Sequence, residues 1–205
     1  MAPAFLKSEY DDRLARVRTE MAARGLDALV IGDPDNINWL TGYDAWSFYT
    51  PQMMLVDLHD GPFWMGRLMD AGAANFTTYL TASQIVPYPE ELVQRPDRHP
   101  MSHLAGWMAD HGFASARIGY ESESYYFTPR ALYALRSGLL GADFVDADLL
   151  VNWQRLVKSE AEIEMMRGAA RIAEALRVVQ RIDEPLSRCL LYTSPSPRDQ
   201  RGAGM

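Results

Sequence analysis

The chain has 205 residues, 48% of them hydrophobic and 23% charged, enough apolar material for one well-packed core and too much for a disordered segment. Twenty Lys and Arg against 27 Asp and Glu leave a net charge of −7 with the two signs interspersed, so neither a nucleic acid nor an anionic membrane is an expected partner. The N-terminus turns charged at Lys7, no stretch approaches the ~20 apolar residues of a membrane span, and the single cysteine, Cys189, can form no intramolecular disulfide; together these predict a cytoplasmic protein.

The first helix is expected from Ser8, read as its N-cap with Asp11 three residues on. Tyr10, Leu14, Val17 and Met21 form one apolar stripe, and Gly25 stands where a glycine ends such a helix. DALVIG at 27–32 is a short apolar run between turn residues, which predicts a buried strand. Asp33-Pro34 then supplies an N-cap and a first-position proline for a short helix over 35–40. Two apolar runs, 52–58 and 62–66, flank His59-Asp60-Gly61 and predict a hairpin.

Downstream the pattern alternates. A helix is expected near 69–78, a strand near 84–88, a helix at 100–111, a strand at 116–120, a helix after Thr128-Pro129 and a last strand near 142–145. The alternation predicts an α/β domain of three layers on a mixed sheet, with the hairpin as its antiparallel part. The expected organisation is a domain over 1–147, a linker over 148–158 with no clear period, and a new helix over 159–188 that opens with a Ser159/Glu162 capping box. That helix is read as the start of a second domain, although it could instead pack back on the first.

Catalytic patterns are sparse. His99 and His103 have helix-face spacing but lack the acid of HExxH, so they read as a surface pair; GxSxG, GxGxxG and the phosphate-cradling GxxxxGK[ST] do not occur. Capping and turn roles account for Asp33 and Asp35, and Glu121 and Glu123 read as solvated charges at a strand end. No catalytic residue, metal ligand or cofactor site is therefore assigned within these residues. The conspicuous feature is aromatic. Trp39, Tyr43, Trp46, Phe48 and Tyr49 precede Pro51 in a loop-like stretch, and Tyr125, Tyr126 and Phe127 form a second group that reads as core or interface. Trp39 is expected in the core, whereas rings gathered in a loop suit recognition of a flat or cationic ligand.

DPDNINWLTGY at 33–43 resembles the signature of the N-terminal domain shared by creatinase, prolidase and aminopeptidase P. WQRLVKSEAEIEMMRGAARIAEA at 153–175 is similar to the family's linker and first catalytic-domain helix. The resemblance spans about 6–182, and GYDAWSFY, RHPM at 98–101 and YYFTPRALYAL at 125–135 look most like the ectoine-hydrolysing branch. It implies a ribonuclease H-like N-terminal domain that dimerises with a second copy and caps the neighbouring subunit's active site. Ectoine or a related small molecule is the implied substrate, cleaved by a pita-bread domain beginning near residue 159.

In creatinase-like relatives a Phe and, two residues on, a carboxylate-holding Arg follow the signature; the matching positions are Phe48 and Thr50, so the Arg is missing. The implied substrate-facing set is Trp46, Phe48, Tyr49 and Thr50. A divalent metal, in the downstream domain, is implied only if the protein belongs with the proline-specific peptidases. A metal-dependent Xaa-Pro aminopeptidase or dipeptidase is the alternative enzyme, and a stand-alone binding module is the alternative of another class. Finally, CLLYTSPSPRD within 189–205 resembles a translated sequencing adapter and is expected to be non-native, with a natural flexible tail as the other reading.

Overall fold

The computed structural model describes residues 3–182, with side chains through residue 176, so the expectations for 189–205 and for Cys189 lie outside the described residues. The residues divide into two compact units, one ending at Val157 and the other starting at Lys158.

In the first unit, α1 (Lys7–Ala23) leads into β1 (Ala28–Ile31), α2 (Pro34–Thr41), and the hairpin of β2 (Met53–Asp57) and β3 (Phe63–Arg67). There follow α3 (Ala71–Thr77), β4 (Ile85–Tyr88), α4 (Pro100–Met108), β5 (Arg117–Tyr120), α5 (Pro129–Gly138), β6 (Asp143–Asp146) and α6 (Leu150–Arg155). The six strands form one mixed sheet in the order β4-β3-β2-β1-β5-β6. β2 runs antiparallel to both its neighbours, and all the other pairs are parallel.

Strand alternation sorts the core into two halves. Ala28 and Val30 of β1 join Met53, Leu55 and Met65 beneath α4 and α5, whose Met101, Leu104, Met108 and Leu135 cover that face. Leu29 and Ile31 point the other way, with Met54, Val56 and Trp64, into a layer made by α1, α2, α3 and α6. This is the expected three-layer α/β arrangement. The stripe Tyr10, Leu14, Val17 and Met21 is buried as its spacing predicts, and Gly25 ends the helix at φ 65°.

The helix starts differ from expectation at one point. α1 begins at Lys7 with Leu6 as its N-cap, so Ser8 lies inside the first turn; Asp11 pairs with Lys7 at 2.6 Å and is not part of a capping box. α2 is capped as predicted, the Asp33 carboxylate accepting from the amides of Asp35 and Asn36, and Thr128 caps α5 by accepting from the Ala131 amide. α4 stops at Met108 and gives way to a wider turn, where Gly112 takes φ 93°.

Residues 148–158 were expected to be an aperiodic linker, but six of them form α6, whose Leu150 and Val151 are buried in the α1/α2 layer. A helix of under two turns is too short for a sequence period to show. In the second unit, α7 (Glu160–Ile182) opens with the predicted capping box: the Ser159 amide donates to Glu162 Oε2 at 2.8 Å and the Glu162 amide to Ser159 Oγ at 3.2 Å. None of the described helices is long and apolar enough to cross a membrane.

Candidate functional site: an uncharged aromatic cleft

The carboxyl end of β1 and the amino end of β2 open at the same edge of the sheet, and the chain between them runs from Tyr43 to Gln52 outside regular structure. A cavity of about 100 Å³ lies there. It is lined by Trp46, Phe48, Tyr49 and Thr50 from this segment, by Tyr125 and Tyr126 from the loop after β5, and by Gly32, Pro34 and Ile37 from the β1–α2 turn. The two aromatic groups, 76 positions apart at Tyr49 and Tyr125, thus meet at one site because β1 and β5 are parallel neighbours whose carboxyl ends coincide.

The rings are arranged edge to face. Trp46 sits 5.4 Å from Tyr126 and 5.9 Å from Phe48, interplanar angles 68° and 69°. Phe48 is 80% exposed and Tyr125 97%, so the rim offers bare ring faces. Thr50 differs from the other three predicted residues: it is only 4% exposed and its hydroxyl donates to Ser47 Oγ, which places it beneath the rings. Phe127, grouped with Tyr125 and Tyr126 in the sequence, turns into the core, as does Trp39. Among the described residues no Asp, Glu, Lys, Arg or His lines this cavity itself, but Asp33 and Asp35 line the adjoining hollow against Trp46 and Tyr126, and Arg67 Nη1 donates to the Tyr49 hydroxyl at 3.4 Å. Such a lining favours flat or diffusely charged ligands through ring faces and excluded water.

Beneath the rim is a polar layer that was not read from the sequence. Gln52, almost fully buried, donates from Nε2 to Tyr43 Oη and Asp70 Oδ2, both at 3.0 Å, while its Oε1 accepts from the Ser47 amide at 3.2 Å. Burial and the nearby Asp70 carboxylate push the Tyr43 hydroxyl up to about 12, so it stays protonated. Tyr88, buried below the loop, donates to the Pro51 carbonyl at 2.9 Å.

A second polar cluster lies where β1, β5, α2 and α6 converge. Glu121, expected as a solvated strand-end charge, is instead 3% exposed. Its carboxylate accepts from the amides of Gly32 and Asp33 at 2.8 and 2.9 Å and from Asn36 Nδ2 at 2.6 Å. The N-terminal end of α2 supplies those donors and favours a carboxylate there. Burial nevertheless pushes Glu121 up to about 7, with the three donors pulling it down. Asn36 carries the cluster onward, donating to Asn152 Oδ1 at 2.9 Å and accepting from Arg155 Nη1 at 2.6 Å. Glu123, two residues on, is exposed as predicted. Only the position of Glu121, directly after a buried strand that abuts a helix start, hinted at its role.

The histidine pair is also rearranged. His99 is half-buried and caps α4, its Nδ1 accepting from the Met101 amide at 3.2 Å, while His103 is exposed, so the two do not act as a surface pair. Burial and the Arg130 guanidinium hold His99 below the usual imidazole range. Among the described residues no three His, Cys, Asp or Glu side chains gather into a metal-binding group.

Comparison with known proteins places this geometry. The chain is 45% identical over 192 residues to the ectoine hydrolase of Halomonas elongata, covering 92% of this chain and 48% of that protein. It is 44% identical over 174 residues to the uncharacterized hydrolase/peptidase y4tM of Sinorhizobium fredii, covering 84% and 44%. The chain thus spans about half the length of the curated relatives it matches. Among solved structures it resembles the Xaa-Pro dipeptidase from Bacillus anthracis, with a TM-score of 0.64 at 17% identity over 81% of this chain and 41% of that one, a likeness of fold alone. Residues 13–157 match the Creatinase/Prolidase N-terminal domain, and with the sheet order and the β1–α2 signature in place the chain belongs to that family.

Proposed function

We propose that this chain is the substrate-capping and dimerising N-terminal domain of a hydrolase that opens the cyclic amidine ring of ectoine to N-acetyl-diaminobutyrate, with bond cleavage on a downstream catalytic domain. The observation that carries this reading is the convergence of Trp46, Phe48, Tyr49 and Tyr126 on one cleft, with Asp33 and Asp35 at its border. The delocalised amidinium of ectoine is the part that bare aromatic faces suit, and its carboxylate has to be held from elsewhere. Closing the rings over a neighbouring subunit's site would also exclude water and hold the substrate in one orientation.

Similarity to ectoine hydrolase from Halomonas elongata favours this substrate over a proline-containing peptide. The peptidase reading keeps one specific support, the fold shared with the Bacillus anthracis Xaa-Pro dipeptidase. Assaying the full-length polypeptide on ectoine and on a Xaa-Pro dipeptide, each with and without added divalent metal, decides between them. Ring opening of ectoine is the expected outcome, and metal-dependent cleavage of the dipeptide with ectoine untouched would overturn it.

A further inference from the structure

The segment bearing the cleft's rings is held in an unusual way. Between Asp44 and Pro51 no backbone group bonds to another backbone group outside regular elements. The ties are side chain to backbone: Thr77 Oγ1 accepts from the Asp44 amide at 3.4 Å, Tyr88 Oη donates to the Pro51 carbonyl at 2.9 Å, and Gln52 Oε1 accepts from the Ser47 amide at 3.2 Å. The first two secure the ends. Of the bonds to backbone groups only the Gln52 bond reaches the middle, where it grips the residue between Trp46 and Phe48. Two bonds between side chains also touch this stretch, Thr50 Oγ1 donating to Ser47 Oγ and Arg67 Nη1 to Tyr49 Oη at 3.4 Å.

Gln52 is itself immobilised, both of its amide hydrogens being taken by the buried Tyr43 hydroxyl and by Asp70. A loop with few bonds between backbone groups depends for its shape on the side-chain ties that hold it. We propose that Gln52 is the positioning residue of the cleft, its amide fixing the Ser47 backbone so that Trp46 and Phe48 stand in binding orientation. It acts through those rings and need not touch the ligand. The inference deepens the capping role proposed above and rests on it for its kinetic consequence, but not for its structural one.

Gln52→Met keeps the length and shape of the side chain and removes all three hydrogen bonds, so it separates tethering from packing. In the full-length enzyme, hydrogen exchange of the Ser47 amide, whose proton Gln52 Oε1 accepts, is expected to speed up by about tenfold, the loss of one tether. With ectoine, KM is expected to rise at least about fivefold while kcat changes less than about twofold, since loosened rings weaken binding and leave the reacting groups alone. A general loss of structure would move exchange everywhere and lower the melting temperature sharply, so exchange in β1 serves as the internal control.

Unchanged exchange of the Ser47 amide would overturn the tether. Faster exchange with unchanged KM would overturn the positioning role if Trp46→Ala, run in parallel, does raise KM. If Trp46→Ala also leaves KM unchanged, the capping reading is what fails, and the exchange data still support Gln52 as the tether of the loop.

Discussion

Glu121 shows how one side chain can bind together elements that are distant in sequence. It is the shared acceptor for the β1–α2 turn and for Asn36, which reaches α6 through Asn152 and Arg155. Replacing it with Gln puts an amide NH₂ against donors, and Glu121→Gln is expected to lower stability by about 1–3 kcal/mol in chemical denaturation. The raised carboxyl adds a pH signature. Its ordinary value is 4.5 and its folded value about 7, so between them the folded chain holds a proton that the unfolded chain releases. Stability contributed by this group is complete below about 4.5 and declines as pH rises through 7. The difference in melting temperature between the parent and Glu121→Gln should therefore be larger at pH 5 than at pH 8, and a difference that grows with pH would contradict the assignment. The sequence did not disclose this residue, because a glutamate after a strand looks the same whether water or three donors face it.

At the scale of elements, local chemistry was largely legible. Asp33 and Thr128 cap the helices that Pro34 and Pro129 begin, the apolar stripe of α1 is buried, and the hairpin turns at Gly61 with φ 78°. Removing the α2 cap by Asp33→Ala should cost about 1 kcal/mol, read as a fall of about 2–4 °C in melting temperature, whereas Asp33→Asn, which still caps, should cost much less. What escaped prediction were features that depend on a partner from elsewhere. Ser8 does not cap because α1 already starts at Lys7 with Leu6 at its N-cap, and α6 is a helix only through burying Leu150 and Val151 against α1 and α2. Leu29, fully buried in the middle of the sheet, tests the packing directly: Leu29→Ala should destabilise by about 2–5 kcal/mol.

Across the whole molecule, the two aromatic groups were each visible in the sequence, but their meeting was not. It follows from parallel pairing of β1 with β5, a long-range contact that no local pattern encodes. The same holds for Gln52, whose partners Tyr43, Ser47 and Asp70 come together only once α3 has packed beside the hairpin. The family signature at 33–43 forms the turn and helix beneath the cleft, so the motif that identifies the family also builds the floor on which the rings stand. The central claim is that these rings serve substrate recognition while the chemistry lies on the downstream domain. Steady-state kinetics of the full-length enzyme carrying Trp46→Ala and Phe48→Ala together test it most directly. The account predicts at least about a tenfold loss in kcat/KM for ectoine at an unaltered melting temperature, and wild-type kinetics in that double variant would contradict it.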